Sequence, residues 1–433
     1  MSAAAPVPVR QRRSRLARFA IVVVIVLLVF GLIAGYLLQP QRASRLLLDR
    51  VGKSLGLRIT ASGLASYRLR GTPQLVLHGV VAQRPGDPTP MLRAERVLVS
   101  MPWSSIRARG AKLTAQRIEL DAPVLDLPAL QRWLASRPPA ETRIPTLTDG
   151  LHVSRGRINN DGWTIDGIGV DLPSLAPGKP LHSHLQGRYL EPPTSLAFDF
   201  DVAMTKPAND AGLTAIGTAT LEGAGWKLPA QVDLAGPLHL DNGDISMAPA
   251  RFGLSARYVS TKSNLPFVLG AAGPLHVAKG VWAMDPAALV LHGHGVIPDA
   301  KARGALALGN RLVLRLQGDI AAWPQAWPAL PPPLSASTSP LSFSLDYVGR
   351  VDFSEAASLS LHRDNTIFDA RFKLPAILDW IDSGTAGSPL PPLTGRLQTP
   401  RIEIAGAKLE GVEIEFEDDP DLPASAMPAP PKP

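Results

Sequence analysis

The 433-residue sequence is 45% hydrophobic but only 6% aromatic, with 37 glycines, 43 prolines and no cysteine. The lack of cysteine excludes disulfides and thiolate chemistry, and the many prolines and glycines favour short strands joined by turns over long helices. The formal charge of +7 does not indicate nucleic-acid binding, because residues 1–40 hold five arginines and no acid, which leaves 39 basic and 37 acidic residues elsewhere, a net +2.

The N-terminus predicts a membrane anchor. Residues 1–18 form a basic arm, and Phe19 to Leu38 follow as twenty residues without a charge. At about 1.5 Å per residue, such a helix spans roughly 30 Å, the hydrocarbon thickness of a bilayer. A cleaved signal peptide is the alternative, but its apolar part is shorter and ends at a small-residue cleavage site, whereas Gln39-Pro40-Gln41 follows here. The acid-free arm favours a cytoplasmic N-terminus, so we expect a single-pass inner-membrane protein with the bulk of its chain in the periplasm.

Beyond the anchor, a short helix over 41–55 is expected to lead into strands. Several segments alternate apolar and polar side chains with a period of two, which is typical of antiparallel strands with one apolar and one solvated face. Some apolar side chains of these strands are candidates to line a lipid groove. They are Leu196, Phe198, Phe200, Val202, Leu312, Leu314, Leu341, Phe343, Leu345, Phe368, Phe372, Ile414 and Phe416.

The exported part is predicted to have four regions. They are a β region over 41–320, a Pro-rich linker over 321–340, a second β region over 341–419 and a disordered tail over 420–433. Beyond the helix over 41–55, helix is expected in three short segments, namely Leu127–Leu134, Ala321–Trp327 and Leu374–Ile381.

One internal repeat is visible. Ala235–Leu254 and Ala272–Leu291 agree at ten of twenty aligned positions, at an offset of 37 residues, and both begin with Ala-Gly-Pro-Leu-His. This agreement predicts a repeated hairpin unit. A local duplication within an ordinary β-sandwich is the alternative interpretation.

The apolar face of such a sheet must be covered, and the few helices are too short to cover it. Two sheets packed as a sandwich would satisfy the pattern. The other solution is one long curved antiparallel sheet, a repeating β-groove or half-barrel that holds acyl chains. Because each buried CH₂ contributes about 0.8 kcal/mol, a sixteen-carbon chain resists entering water by roughly 13 kcal/mol, and a continuous apolar trough would remove most of that barrier.

The sequence contains no nucleophile elbow, phosphate loop, dinucleotide fingerprint or zinc-protease motif, so no catalytic residue and no cofactor is predicted. Two histidine pairs, His182 with His184 and His292 with His294, have strand spacing that would allow metal ligation, but neither pair has an evident third ligand. Solvated strand positions are the simpler interpretation. Trp323 and Trp327 favour core packing over a lipid contact.

The order of segments resembles the AsmA-like family of Gram-negative envelope proteins. The resemblance covers roughly Leu46 to Phe416, and the segments that carry it are Leu55–Thr60, Pro73–Val80, Arg93–Val99, Arg117–Leu127, Leu240–Pro249, Leu393–Leu397 and Ile402–Leu409. It implies a repeating β-groove fold related to bridge-like lipid-transfer proteins, with phospholipid acyl chains as ligands, a role in outer-membrane homeostasis and no catalytic residues.

Three functional hypotheses follow. The first is a protein that binds or conducts phospholipid at the inner membrane. The second is a membrane-tethered scaffold that assists the assembly of outer-membrane or secreted proteins, with periplasmic or outer-membrane proteins as partners. An exported hydrolase on a β-sandwich is the third, and the lack of a convergent catalytic motif disfavours it.

Overall fold

The structure is a computed structural model that describes residues 48–417, except 50–51, 54, 64, 69, 108–113, 138–143, 242–243, 262, 328–329, 331, 336, 384–390 and 405–406. Strands make up 67% of it, which confirms the mainly β class. The predicted basic arm, membrane span and C-terminal tail lie outside the described residues. Among the described residues, no helix has both the length and the apolar character needed to cross a bilayer.

The strands of the first half are β1 Arg58–Ala61, β2 Ser66–Arg68, β3 Gln74–Gln83, β4 Leu92–Ser100, β5 Thr114–Ala115, β6 Arg117–Asp121, β7 Val124–Asp126, β8 Thr146–Leu147, β9 Leu151–Asn159, β10 Thr164–Leu172, β11 Leu181–Glu191 and β12 Thr194–Met204. Those of the second half are β13 Asp210–Gly223, β14 Trp226–Asp241, β15 Asp244–Ser260, β16 Asn264–Ala278, β17 Val281–Gly293, β18 Asp299–Leu308, β19 Leu312–Ala322, β20 Leu341–Gly349, β21 Ala357–Arg363, β22 Thr366–Phe372, β23 Leu393–Ile404 and β24 Ala407–Glu417. The helices with assigned bounds are α1 Trp103–Arg107, α2 Leu127–Ala135, α3 Pro332–Ser335 and α4 Leu374–Ser383.

Twenty-two of these strands form one long curved sheet, and β5 and β8 form a separate two-stranded pair. From β9 to β24 each strand pairs with the next strand along the chain in antiparallel orientation. The sheet begins with β1 and β2, which both pair with β3, and ends with β24. Among the described strands its order therefore follows the chain closely.

The sheet is mixed, so the prediction of a purely antiparallel sheet is wrong near its start. Strands β6 and β7 pair with β9 in parallel orientation. Parallel neighbours need a crossover connection, and the chain between β7 and β9 supplies one that contains α2. Asp126 caps this helix, because its Oδ1 accepts a hydrogen bond of 2.8 Å from the backbone N–H of Ala129.

The predicted helices have mixed outcomes. The segments Leu127–Leu134 and Leu374–Ile381 are helical as α2 and α4, and parts of 41–55 are helical at 48–49, 52–53 and 55. The segment Ala321–Trp327 is not helical, because β19 extends to Ala322 and a turn follows in which Trp327 N–H donates to Pro324 O.

The segment predicted as a linker, 321–340, does not separate two sheets. It contains α3 and joins β19 to β20, which pair directly from Leu312↔Gly349 to Ile320↔Leu341. The two predicted β regions are therefore parts of the same sheet.

The internal repeat corresponds to two consecutive hairpins, β14–β15 and β16–β17. Leu238 pairs with Met247 in the first hairpin, and Leu275 pairs with Met284 in the second. The register shifts at the same place in each, between Ala235 and Leu238 and between Ala272 and Leu275. The 37-residue offset is therefore the length of one hairpin unit in the sheet.

Candidate functional site

One face of the sheet is apolar along its whole length, and we call it the apolar face. One row of directly paired residues on this face crosses ten strands, β11 to β20, without a charged side chain. Its members are Leu185, Phe200, Gly217, Val232, Leu254, Leu269, Leu291, Ala300, Ile320 and Leu341. A second row continues the apolar face toward the start of the sheet, through Leu75, Val99, Ile118, Leu151 and Leu172.

The sheet bends toward the apolar face at the repeated hairpins. Met247 and Met284 are only 2% and 3% exposed there, although every hydrophobic side chain packed with them comes from strands β12 to β18 of the same sheet. A flat sheet cannot bury its own face to this extent, so neighbouring strands must fold over these methionines. The register shifts on β14 to β17 supply the bend, because β-bulges increase local twist and curvature.

A less filled part of the apolar face lies on β10 to β13, and we call it the open section. The candidates Leu196, Phe198, Phe200 and Val202 lie here on β12, and all four are partly exposed. The rings of Phe198 and Phe200 stack at 6.4 Å between centroids, which confirms that alternate residues of this strand share a face. Residues 144–241 are all described, and the only buried hydrophobic side chain of β10 to β13 is Ala211, which is still 8% exposed.

The last strands of the apolar face are covered by the segment between β19 and β20. Leu334 of α3 is fully buried against Ile320, Leu341, Leu361 and Leu397, and we call these five residues the C-terminal cluster. The candidates that pack against the cluster from its edge are Phe343, Phe368, Ile414 and Phe416. Candidate Leu341 is a member of the cluster and is 1% exposed, so this part of the face is closed by the protein itself.

The remaining candidates lie between these two situations. Leu314 pairs with Leu306 on one side and with Tyr347 on the other. Leu312, Leu345 and Phe372 also lie on the apolar face, each paired with an apolar residue or a glycine of the neighbouring strand. All except the buried Tyr347 are partly exposed. For every candidate, contact with a lipid stays a prediction.

The first strands of the apolar face are also covered. Ala129, Leu130 and Trp133 of α2 pack against Leu57, Ala82 and Met91, and the Trp133 Nε1–H donates a hydrogen bond of 3.0 Å to Leu55 O. The apolar face is thus covered at both ends and least covered in between.

The opposite face of the sheet is polar, and histidines on it pair with aspartates on neighbouring strands. His184 Nδ1 lies 3.0 Å from Asp201 Oδ1, and its Nε2 lies 3.4 Å from Asp199 Oδ1. The hydrogen bond to Asp201 raises the pKa of His184 above its usual value. A similar contact joins His292 to Asp299 at 3.4 Å.

The histidine pairs do not assemble a metal site in the described part of the chain, where no group of three or more potential ligands converges. His184 has aspartates as its neighbours on the polar face. Trp323 and Trp327 contact each other edge to face at 4.6 Å, and Trp323 packs against the C-terminal cluster. Core packing is therefore the role of Trp323 in this structure.

Sequence reasoning missed the covering role of Leu334 and the bend at Met247 and Met284. The two methionines occupy matching positions in the internal repeat, and that match was the one available signal for the bend. Leu334 follows three prolines in a segment without apolar periodicity, so no pattern indicated that it is buried.

Compared with models of protein families, with curated proteins and with solved structures, the sequence and fold give no match.

Proposed function

We propose that this protein binds phospholipid acyl chains along the apolar face of its sheet, in a groove whose most accessible part is the open section. The observation that carries the proposal is the unbroken apolar face, which is partly exposed on β10 to β13 and lies on the inner side of the bend at β14 to β17. Acyl chains would cover what the helices leave uncovered.

The energetics support a hydrocarbon ligand. A partly exposed apolar face in water costs about 25 cal/mol for each Å² of apolar surface, and an acyl chain that lies on it removes both surfaces from water. With about 4.8 Å between strands, the fourteen strands from β11 to β24 extend over roughly 60 Å, which is longer than one acyl chain of sixteen carbons. Several lipids in a row, or one lipid moving between positions, fit this length.

The predicted anchor sets where the lipid would come from. With Phe19 to Leu38 in the inner membrane and the sheet in the periplasm, β1 and β2 lie nearest the bilayer in sequence. The protein would then accept phospholipid at the inner membrane and serve outer-membrane homeostasis, as the resemblance to AsmA-like proteins implies. The proposal includes no catalytic step and no cofactor.

Site-specific photocrosslinking tests the proposal. The photoreactive amino acid p-benzoylphenylalanine is placed at Phe198 in the open section and, as a matched control, at Asp199, the next residue, which faces the polar side. Irradiation of the full-length protein in its native membrane, followed by mass spectrometry, is expected to give a phospholipid adduct at Phe198 and none at Asp199.

Equal lipid adducts at both positions, or none at either, would overturn the proposal. A protein adduct at Phe198 without lipid would instead favour the tethered scaffold, because a partner chain would then cover the apolar face.

A further inference from the structure

Aromatic side chains with a polar group line one margin of the apolar face. Trp163, Tyr189, Trp226 and Tyr258 all lie within two residues of a strand end, and these strand ends are neighbours in the sheet. They form two contacting pairs, Trp163 with Tyr189 at 5.4 Å and Trp226 with Tyr258 at 6.0 Å between ring centroids. The phenylalanines of the open section lie further inside. Tryptophan and tyrosine are favoured where an apolar region meets water, since each has an apolar ring and a polar group.

The first pair carries a carboxylate. The hydroxyl of Tyr189 donates a hydrogen bond of 2.6 Å to Glu191 Oε2, and Glu191 is exposed. Among the described residues Glu191 forms no ion pair. Tyr189 itself pairs directly with Leu196 of the open section, so the carboxylate stands at the edge of the proposed groove.

The second pair differs in its charge. The nearest carboxylate on the adjacent strand, Glu222, lies on the opposite, polar face of the sheet and pairs there with Lys227, with 3.2 Å between Oε1 and Nζ. The two aromatic pairs are alike in position, but Glu222 is on the other face of the sheet from the second pair, whereas Glu191 lies on the same face as the first pair and is bonded to Tyr189.

We propose that Trp163, Tyr189 and Glu191 form a binding site for the ammonium group of a phospholipid headgroup, either ethanolamine or choline. The inference rests on the proposed function, which it deepens by naming the class of lipid. An ammonium group is attracted both to the carboxylate and to the faces of the aromatic rings, and the lipid's acyl chains would then lie across Leu196 and Phe198. Lipids with an uncharged glycerol headgroup lack this attraction and carry a net negative charge that Glu191 repels.

Competition between headgroups tests the site. Full-length protein is incubated with vesicles that contain equal amounts of ethanolamine, choline and glycerol phospholipids with identical acyl chains, and the lipid bound to the repurified protein is quantified by mass spectrometry. The wild type is expected to retain ethanolamine or choline lipids over glycerol lipids. Glu191→Gln keeps an oxygen that accepts the Tyr189 hydrogen bond but removes the charge, and it should lower that preference by about threefold to tenfold. Trp163→Leu should lower it as well.

Glu222→Gln is the control for loss of a carboxylate at this margin, and it should leave the headgroup preference unchanged because Glu222 lies on the polar face and is paired with Lys227. An unchanged preference in Glu191→Gln, with lipid still bound, would overturn the headgroup site alone. If the wild type bound none of the three lipids, the proposed function would fail together with it.

Discussion

The C-terminal cluster offers a quantitative test of where the apolar face is closed. Leu361 is 0% exposed and packs with Leu334, Leu341 and Leu397. Replacing a fully buried leucine by alanine costs about 2–5 kcal/mol, because the transfer free energy of the lost atoms adds to the cost of the cavity. Since each strand contacts mainly its neighbours, the loss should stay local to β20–β23 instead of lowering the stability of the whole sheet equally.

Local hydrogen exchange is the matching assay, since a sheet of this length is not expected to unfold in two states. As about 1.4 kcal/mol corresponds to a factor of ten, Leu361→Ala should speed amide exchange in β20–β23 at least about 30-fold and leave β11–β13 unchanged. Ile216→Ala is the control, because Ile216 is 57% exposed on the polar face and should cost less than about 0.5 kcal/mol. An acceleration below about threefold in Leu361→Ala would refute the view that α3 closes this end of the face.

Three further predictions concern the sheet. A methyl group at Gly217 would overlap a backbone carbonyl of the neighbouring strand, whereas one at Gly270 meets none of the described atoms within 4 Å. Hydrogen exchange should therefore show that Gly217→Ala destabilises β13 by about 1–3 kcal/mol and that Gly270→Ala is tolerated in β16. Because the pKa of His184 is raised, its contribution to the β11–β12 pairing is present below the unfolded pKa of about 6.5 and is lost as pH rises through the folded pKa. Amide exchange in β11 and β12, corrected for the intrinsic pH dependence of exchange, should therefore be slower at pH 6 than at pH 8. His184→Gln should remove this difference. The pKa of Asp121 is lowered from 3.8, chiefly by the hydrogen bond from Arg155 and also by one from Ser154. The β6–β9 pairing should therefore weaken as pH falls through that lowered pKa, and Arg155→Gln should reduce this acid dependence in exchange measurements.

The strand faces could be predicted from the sequence because alternation is a local property. In β12 each second residue from Leu196 to Met204 is apolar, and the pairing of β12 with β11 and β13 places all of them on one face. The hairpin repeat could be predicted for the same reason, since residues 37 apart in sequence occupy matching positions in consecutive hairpins.

Features that depend on contacts between distant segments could not be predicted. The parallel pairing of β6 and β7 with β9 requires the chain to return past α2, and no local pattern encodes that crossover. The burial of Leu334 depends on strands that follow it by 60 residues or more, such as β23. For this reason the sequence placed Leu341 and Phe198 in one class of candidates, although the structure buries the first and leaves the second partly exposed.

The correspondence between strand order and chain order has an evolutionary consequence. Copying a hairpin of about 37 residues within the gene adds two strands, or roughly 10 Å, while the pairings on either side remain intact. A fold built in this way can be lengthened or shortened by single duplications and deletions. The length of such a sheet can therefore change in evolution without a redesign of its ends.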